Sequence, residues 1–218
     1  MAFVDDLTLI LDLLILLTVV VFYTALCVWV EYRRKDLDRA MAHLRGGSMM
    51  MGVLGGAIGL VALWGELTWP LPGSYNLFFF DPLFMLSLIL VGFALAVHRN
   101  YPTHMVGLFS AVASSGIIYY GARAYILHLT LDPLETFLLY LGFGAAGIAA
   151  YPATLFVDWF IVGPKTPSAS PLPSHDRPDY PWLWYVLVGG FCLLVVLAGI
   201  AAVFYGFDTA WGHLQSPP

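Results

Sequence analysis

Acidic and basic side chains occur near the ends of several long apolar stretches of this sequence. They are Asp12, Glu66, Asp81, Arg123 and Glu135. An ionisable group inside a bilayer costs about 2.5–3.5 kcal/mol at the centre of a helix, so each of these groups needs a partner or a purpose. Carboxylates grouped with a guanidinium could bind an ion or a polar small molecule, or could form ion pairs that fix helix register. Both interpretations remain open.

Small residues line up with three of these groups at helical spacing. Glu66, Arg123 and Glu135 each stand at one end of such a stripe, and small residues allow close helix packing. We therefore expect the three groups to converge inside a helical bundle, with Glu66 as the first partner of Arg123 and Asp81 as the second. The stripes contain Gly52, Gly56 and Gly59 before Glu66, Gly107 before Arg123, and Gly142 after Glu135.

The segment 69–82 reads WPLPGSYNLFFFDP and combines helix-breaking prolines with an aromatic, apolar composition. A solvated loop would not carry three consecutive phenylalanines. The segment is therefore predicted to be a re-entrant or interfacial loop whose backbone groups are shielded by protein. Tyr75 and Asn76 would add neutral hydrogen-bonding groups to a polar pocket beneath this loop.

Histidines suggest a second kind of site, because a haem b can be held by two imidazoles that face each other. His98 and His104 flank a short turn and could approach each other, while His128 lies near the other side of the membrane. Histidines at the ends of apolar stretches are more typical of residues that face interfacial water. The sequence contains no Cys-x-x-Cys-His, His-Glu-x-x-His, phosphate-binding loop or nucleophile elbow, so it indicates neither a metal nor an enzymatic activity.

The composition determines the solvent in which these groups must be positioned. Of 218 residues, 60% are hydrophobic and 11% are charged, and the mean hydropathy is +0.82. A chain of this length cannot bury so much apolar surface in one globular core, so a soluble protein is excluded. The net charge of −5 argues against nucleic-acid binding.

Six stretches are long and apolar enough to cross a bilayer as helices, which predicts an all-α integral membrane protein with a six-transmembrane-helix bundle. They cover residues 7–29, 48–69, 82–98, 103–127, 134–162 and 182–205. The predicted organisation is a five-helix membrane core over 1–162 with an outer loop over 69–82. This core is followed by a Pro-rich cytoplasmic linker over 163–181 and then by a sixth helix with a short outer tail over 182–218.

Basic residues predict the orientation, because cytoplasmic loops are enriched in Lys and Arg. Eight of the nine basic residues fall in alternate loops that would share one side, and Arg123 is the exception. This distribution places both termini outside the cytoplasm of a multi-pass protein of the cell membrane.

The segment from Gly65 to Asn76, reading GELTWPLPGSYN, together with Asp81-Pro82, resembles a prokaryotic family of multi-pass membrane proteins known as domain of unknown function 981. The resemblance covers most of the chain through the fifth helix. It implies a multi-pass membrane fold and supplies no activity.

Three functions are compatible with these features. The first is an accessory or assembly subunit that packs Gly52, Gly56, Gly59 and Gly142 against itself or against a larger membrane complex. The second is a binding or permeation module for a small molecule, an ion or protons, which would use the polar pocket. The third is a redox subunit that holds haem or quinone.

Overall fold

The computed structural model describes residues 6–71, 73–130, 132–162 and 181–215. The described chain is helical, and the fifth helix continues into a π-helical segment, Val157–Val162. The predicted Pro-rich linker, except for Pro181, and the last three residues of the predicted outer tail lie outside the described residues. The helices are α1 (Asp6–Arg33), α2 (Leu37–Thr68), α3 (Ser74–Arg99), α4 (His104–Leu127), α5 (Pro133–Phe156) and α6 (Pro181–Gln215).

All six helices are long and apolar enough to cross a membrane, which confirms the prediction of a multi-pass, all-helical protein. Successive helices run in opposite directions, so the bundle has two ends. The Glu66 end holds the C-termini of α2, α4 and α6. The Asp158 end holds the C-termini of α1 and α3 and the N-terminus of α4.

The second helix begins earlier than residue 48. Asp36 is its N-cap, and the Asp36 carboxylate accepts a hydrogen bond from the Arg39 backbone N–H at 3.0 Å. The glycines at 46 and 47 are therefore inside the helix. Gly47 is needed there, because a Cβ at this position would overlap the Thr24 side chain.

The predicted loop over 69–82 is shorter than the composition indicated, since α3 already begins at Ser74 and includes Tyr75, Asn76 and Asp81. Pro82 lies inside this helix and cannot donate a hydrogen bond to the carbonyl of Phe78, four residues earlier. The hydroxyl of Tyr140 donates to that carbonyl instead, at 2.6 Å. The helix can therefore continue through a proline, because another helix satisfies the freed backbone group.

The helices form a closed ring in which each packs against its neighbours in the sequence and α6 packs against α1. The α4–α5 contact is the most extensive. Small residues make it possible, since a Cβ at Gly121 would overlap Tyr140 and a Cβ at Gly147 would overlap Ser114. The contact between α3 and α4 is the sparsest in the ring.

The glycines proposed for self-association are used largely within the chain. A Cβ at Gly52 would lie 2.8 Å from Ala94, and one at Gly59 would lie 2.9 Å from the Ser87 hydroxyl, so both pack against α3. Gly142 packs against α6 in the same way. Gly56 differs from the other three, because no described atom lies within 4 Å of its Cβ position.

Candidate functional site

Two of the predicted pocket residues meet at the Glu66 end. The Glu66 side chain, in the last turns of α2, lies close to the Asp81 carboxyl on α3. The Tyr120 hydroxyl on α4 lies 3.5 Å from Oδ2 of Asp81. Glu66 is half-buried, and its Oε1 atom is inaccessible and has no hydrogen-bond partner among the described residues. We call Glu66 and Asp81 the carboxyl pair. Tyr120 is the neighbour of this pair on α4.

Arg123 does not join this group. Its side chain is exposed, and within the described part of the chain it forms neither an ion pair nor a hydrogen bond. The four-residue steps from Gly107 explain the difference. Four residues turn an α-helix by about 400°, so four such steps move a residue about 160° around the axis. Gly107 therefore packs against α5 while Arg123 faces away from it.

The other predicted pocket residues differ in exposure and in their contacts. Asp12 and Glu135 are exposed, and Tyr75 is half-buried. Asn76 is fully buried and holds the corner between α2 and α3. Its amide donates to the Gly65 carbonyl at 3.2 Å, and its carbonyl accepts from the Leu71 N–H at 3.4 Å.

The three candidate haem ligands have different surroundings. His98 and His128 are exposed. Nδ1 of His104 lies 2.7 Å from Oδ2 of Asp158. No group of three or more His, Cys, Asp or Glu side chains that could hold a metal ion occurs among the residues that the structure describes.

Asp158 forms a polar site that sequence analysis missed. Its Oδ1 accepts hydrogen bonds from the backbone N–H and the hydroxyl of Thr103, both at 2.8 Å. Its Oδ2 accepts the backbone N–H of His104, also at 2.8 Å. The carboxylate thus caps the N-terminus of α4 from a different helix, at the positive end of the helix dipole. The π-helical segment that carries Asp158 produces this contact, and no spacing rule anticipates it.

The interior contains a central cavity of about 310 Å³ that is lined by all six helices. No Asp, Glu, Lys, Arg or His side chain is among its described lining residues. Apolar side chains dominate the wall, and small residues on α5 leave the space. These small residues are Ala146, Gly147, Ala150 and Ala153. A search for ionisable groups in the sequence could not find such a site, whereas the small-residue stripe on α5 was a usable signal.

The two ends of the cavity differ in chemistry. At the Glu66 end its wall includes the hydroxyl side chains of Thr136, Tyr140 and Tyr205. Thr136 is fully buried and lies 3.3 Å from the Tyr205 hydroxyl. At the Asp158 end the wall includes Phe156, which belongs to an aromatic cluster with Tyr32 and Trp184.

The cavity wall does not fit an axially ligated haem b, because its described residues offer no imidazole. The arrangement can instead hold an uncharged molecule by dispersion contacts along its length and by hydrogen bonds at one end.

Comparison with known proteins places the chain in a family. Neither the curated proteins nor the solved structures contain a match to it. The family model described as "Protein of unknown function (DUF981)" matches residues 1–216, nearly the whole chain. The resemblance expected from the GELTWPLPGSYN segment is therefore confirmed, and the chain belongs to the DUF981 family.

Proposed function

We propose that this protein binds an uncharged, mainly apolar molecule from the bilayer in its central cavity. The observation that carries the proposal is the cavity itself, which is lined by residues of all six helices and by no charged side chain in the described residues. Its volume of about 310 Å³ reaches the lower end of the range typical of small-molecule sites, about 300–1,000 Å³. The proposal is thus a binding module whose site is the interior of the ring, and not the surface pocket at Glu66.

The lining supports an apolar occupant. Wall atoms that face the cavity have no protein neighbour on that side, and an apolar chain from the bilayer would supply dispersion contacts to them along its length.

Binding is favoured over permeation of ions or protons by the same lining. An ion inside the bilayer needs charged or polar groups along its path. Hydroxyl groups of the central wall bond to carbonyls of their own helices, as Thr18 does to Ile15 at 2.8 Å and Thr24 does to Val20 at 2.6 Å. The described wall has no charged side chain and few hydroxyl groups, so it provides no continuous row of ligands that could replace the water around an ion.

Two neighbouring alanines on α5 allow a matched test. Ala150 lines the cavity, whereas Ala149 does not, and both are half-buried. Overpacking costs about 1–3 kcal/mol, so Ala150→Phe should reduce the amount of co-purifying apolar molecule about tenfold or more. Ala149→Phe should retain it. The measurement is mass spectrometry of organic extracts from the detergent-purified protein, normalised to protein. Equal yields from the two variants, or no bound molecule in the unaltered protein, would contradict the proposal.

A second candidate is the accessory or assembly subunit, and the open space at Gly56 favours it. Its neighbours Val53 and Leu60 are 58% and 73% exposed, so this face of α2 could accept another membrane helix. Gly56→Leu should then remove a stoichiometric partner from mild-detergent preparations while leaving the thermal unfolding temperature unchanged. If the unaltered protein and Gly56→Leu co-purify with the same partners, this face of α2 does not bind a partner.

We further propose that the Asp158 end faces the cytoplasm of the cell membrane and that both termini lie outside. Basic side chains at the ends of α1 and α3 and the start of α2 support this orientation, among them Arg33, Arg39 and Arg99. Alkaline phosphatase fused to the C-terminus should be active in cells. An inactive fusion with an active cytoplasmic reporter would reverse the orientation.

A further inference from the structure

The hydroxyl groups of the cavity wall are distributed unequally. Several of them donate their single hydrogen to backbone carbonyls of their own or the adjacent helix, so they have no hydrogen left to donate to a ligand. Besides Thr18 and Thr24, they are Ser110, whose hydroxyl donates to Gly147 at 3.0 Å, and Thr154, whose hydroxyl donates to Tyr151 at 2.8 Å. The middle of the cavity therefore offers a ligand apolar side chains and separate acceptor oxygens.

At the Glu66 end, hydroxyl groups cluster around Thr136 instead. Its Oγ1 lies 2.9 Å from the hydroxyl of Thr130, 3.1 Å from the carbonyl of Asp132 and 3.3 Å from the hydroxyl of Tyr205. A threonine hydroxyl has one hydrogen to donate, so these contacts compete for it. The cluster consequently offers acceptor oxygens to any further donor that reaches it. Thr136 and Tyr205 both belong to the cavity wall.

We infer that the ligand is a long-chain alcohol, with its hydroxyl at Thr136 and Tyr205 and its chain directed towards Phe156. This inference rests on the proposed function and specifies its ligand class. A hydroxyl both donates and accepts, so it can join the cluster without leaving a buried group unsatisfied. The aromatic cluster at the opposite end provides only apolar contact to the end of the chain.

A charged head group fits this end poorly. The described cavity wall supplies no cation for a carboxylate or phosphate, and an unpaired charge there would be strongly disfavoured. The nearby ionisable groups of α5 are Asp132 and Glu135, both acidic and exposed. They would repel an anionic head and leave a neutral one unaffected.

Three probes of equal chain length separate the contributions of chain and head. Decane, decanol and decanoate are titrated into the purified full-length protein in detergent, and binding is followed by the shift in thermal unfolding temperature. One added hydrogen bond should make the apparent Kd of decanol about fivefold lower than that of decane. Decanoate should bind more weakly than decanol.

Two tyrosines of α6 provide the variant and its control. Tyr205 lines the cavity, whereas Tyr185 lies outside its wall, against Trp29 and Arg33. In Tyr205→Phe the decanol-to-decane affinity ratio should fall to about one-third of its original value or less, and in Tyr185→Phe it should be unchanged. Thr136→Val, which keeps the side-chain shape, should lower the ratio in the same direction and serves if Tyr205→Phe fails to fold.

The outcomes distinguish this inference from the proposed function. If decane and decanol bind equally, and the decanol-to-decane affinity ratio is unchanged in Tyr205→Phe and Thr136→Val, the ligand is not an alcohol. Binding of apolar molecules in the cavity would still hold. Tighter binding of decanoate than of decanol would also overturn the assignment. If none of the probes binds, or if Ala150→Phe leaves their binding intact, the cavity itself is not a binding site.

Discussion

Carboxylates lie between helices at both ends of the bundle, but they meet very different surroundings. Asp158 accepts hydrogen bonds from two backbone N–H groups and one hydroxyl, and His104 Nδ1 lies 2.7 Å away. Glu66 and Asp81 face each other, with the Tyr120 hydroxyl at 3.5 Å as an additional donor.

This comparison shows that the hydrogen-bond donors around a carboxylate determine whether the carboxylate stabilises the fold. A helix N-terminus provides unpaired N–H groups and a positive dipole end, which make Asp158 a structural anchor. The ends of α2 and α3 provide no such donors at the carboxyl pair. The pair is therefore expected to contribute little to stability, although its residue types attract attention in the sequence.

The largest effect is expected at Asp158. Asp158→Ala leaves the N–H groups of Thr103 and His104 without their acceptor, so the free energy of unfolding should fall by about 3 kcal/mol. Asp158→Asn, which keeps one acceptor oxygen, should lose less. Reversible unfolding in mixed micelles, followed by circular dichroism, measures both.

Asp132 provides the matched control, because it stands at the N-terminus of α5 and its side chain forms no capping hydrogen bond. Asp132→Ala should change the free energy of unfolding by less than about 0.5 kcal/mol. Equal losses from Asp158→Ala and Asp132→Ala would show that the Asp158 network does not anchor α4.

Tyr140, and not the carboxyl pair, is expected to stabilise the Glu66 end. Tyr140→Phe leaves the Phe78 carbonyl without a donor, because Pro82 cannot supply one, and should cost about 2 kcal/mol. Tyr120→Phe, which removes a more exposed hydroxyl, should cost less than about 0.5 kcal/mol. The measurement is again the free energy of unfolding.

Pro82→Ala tests the mechanism behind this effect. An alanine restores the N–H that bonds to the Phe78 carbonyl, so Tyr140→Phe should become nearly neutral in the Pro82→Ala background. If the cost of Tyr140→Phe is the same in both backgrounds, the hydroxyl does not compensate for the proline.

The fold was largely predictable from the sequence, because bilayer thickness and hydropathy determine which segments span. The errors arose where tertiary contacts override local signals. Pro82 appeared to forbid a helix, yet a hydroxyl 58 residues away satisfies the freed carbonyl. The second apolar stretch appeared to begin at residue 48, yet α2 already contains the glycines at 46 and 47, and Gly47 is required by the approach of Thr24.

The site was less predictable, because residue type identifies candidates but not partners. Glu66 and Asp81 lie close together, whereas the exposed Arg123 side chain does not join them. Four steps of four residues from Gly107 to Arg123 rotate the side chain about 160° around the helix axis. The Asp158 cap depends on a π-helical segment that no periodicity indicates. The cavity is a property of the closed ring, so it cannot be read from any single helix.

A smaller effect, with the opposite sign, is expected at the carboxyl pair. Glu66→Gln replaces one carboxyl group of the pair by an amide that can donate to Asp81, so the free energy of unfolding should rise by about 0.5–1 kcal/mol. Glu135→Gln, an exposed control in the first turn of α5, should change it by less than about 0.5 kcal/mol. A loss of more than about 1 kcal/mol in Glu66→Gln would show that its charge is stabilising and would remove the contrast with Asp158.

The smallest effect is expected at Arg123, the cation that the sequence assigned to the carboxyl pair. Because its side chain is exposed and unpaired within the described residues, Arg123→Ala should alter the free energy of unfolding by less than about 0.5 kcal/mol. Arg45→Ala is the comparison, since Arg45 donates to Asn100 at 3.1 Å on the surface and should lose at most about 1 kcal/mol. A loss of several kcal/mol in Arg123→Ala, abolished in the Glu66→Gln background, would mean that the guanidinium reaches the carboxyl pair in the membrane. In that case the carboxylates at both ends of the bundle would have hydrogen-bond donors. The Arg123 guanidinium would serve Glu66 as the backbone N–H groups of α4 serve Asp158.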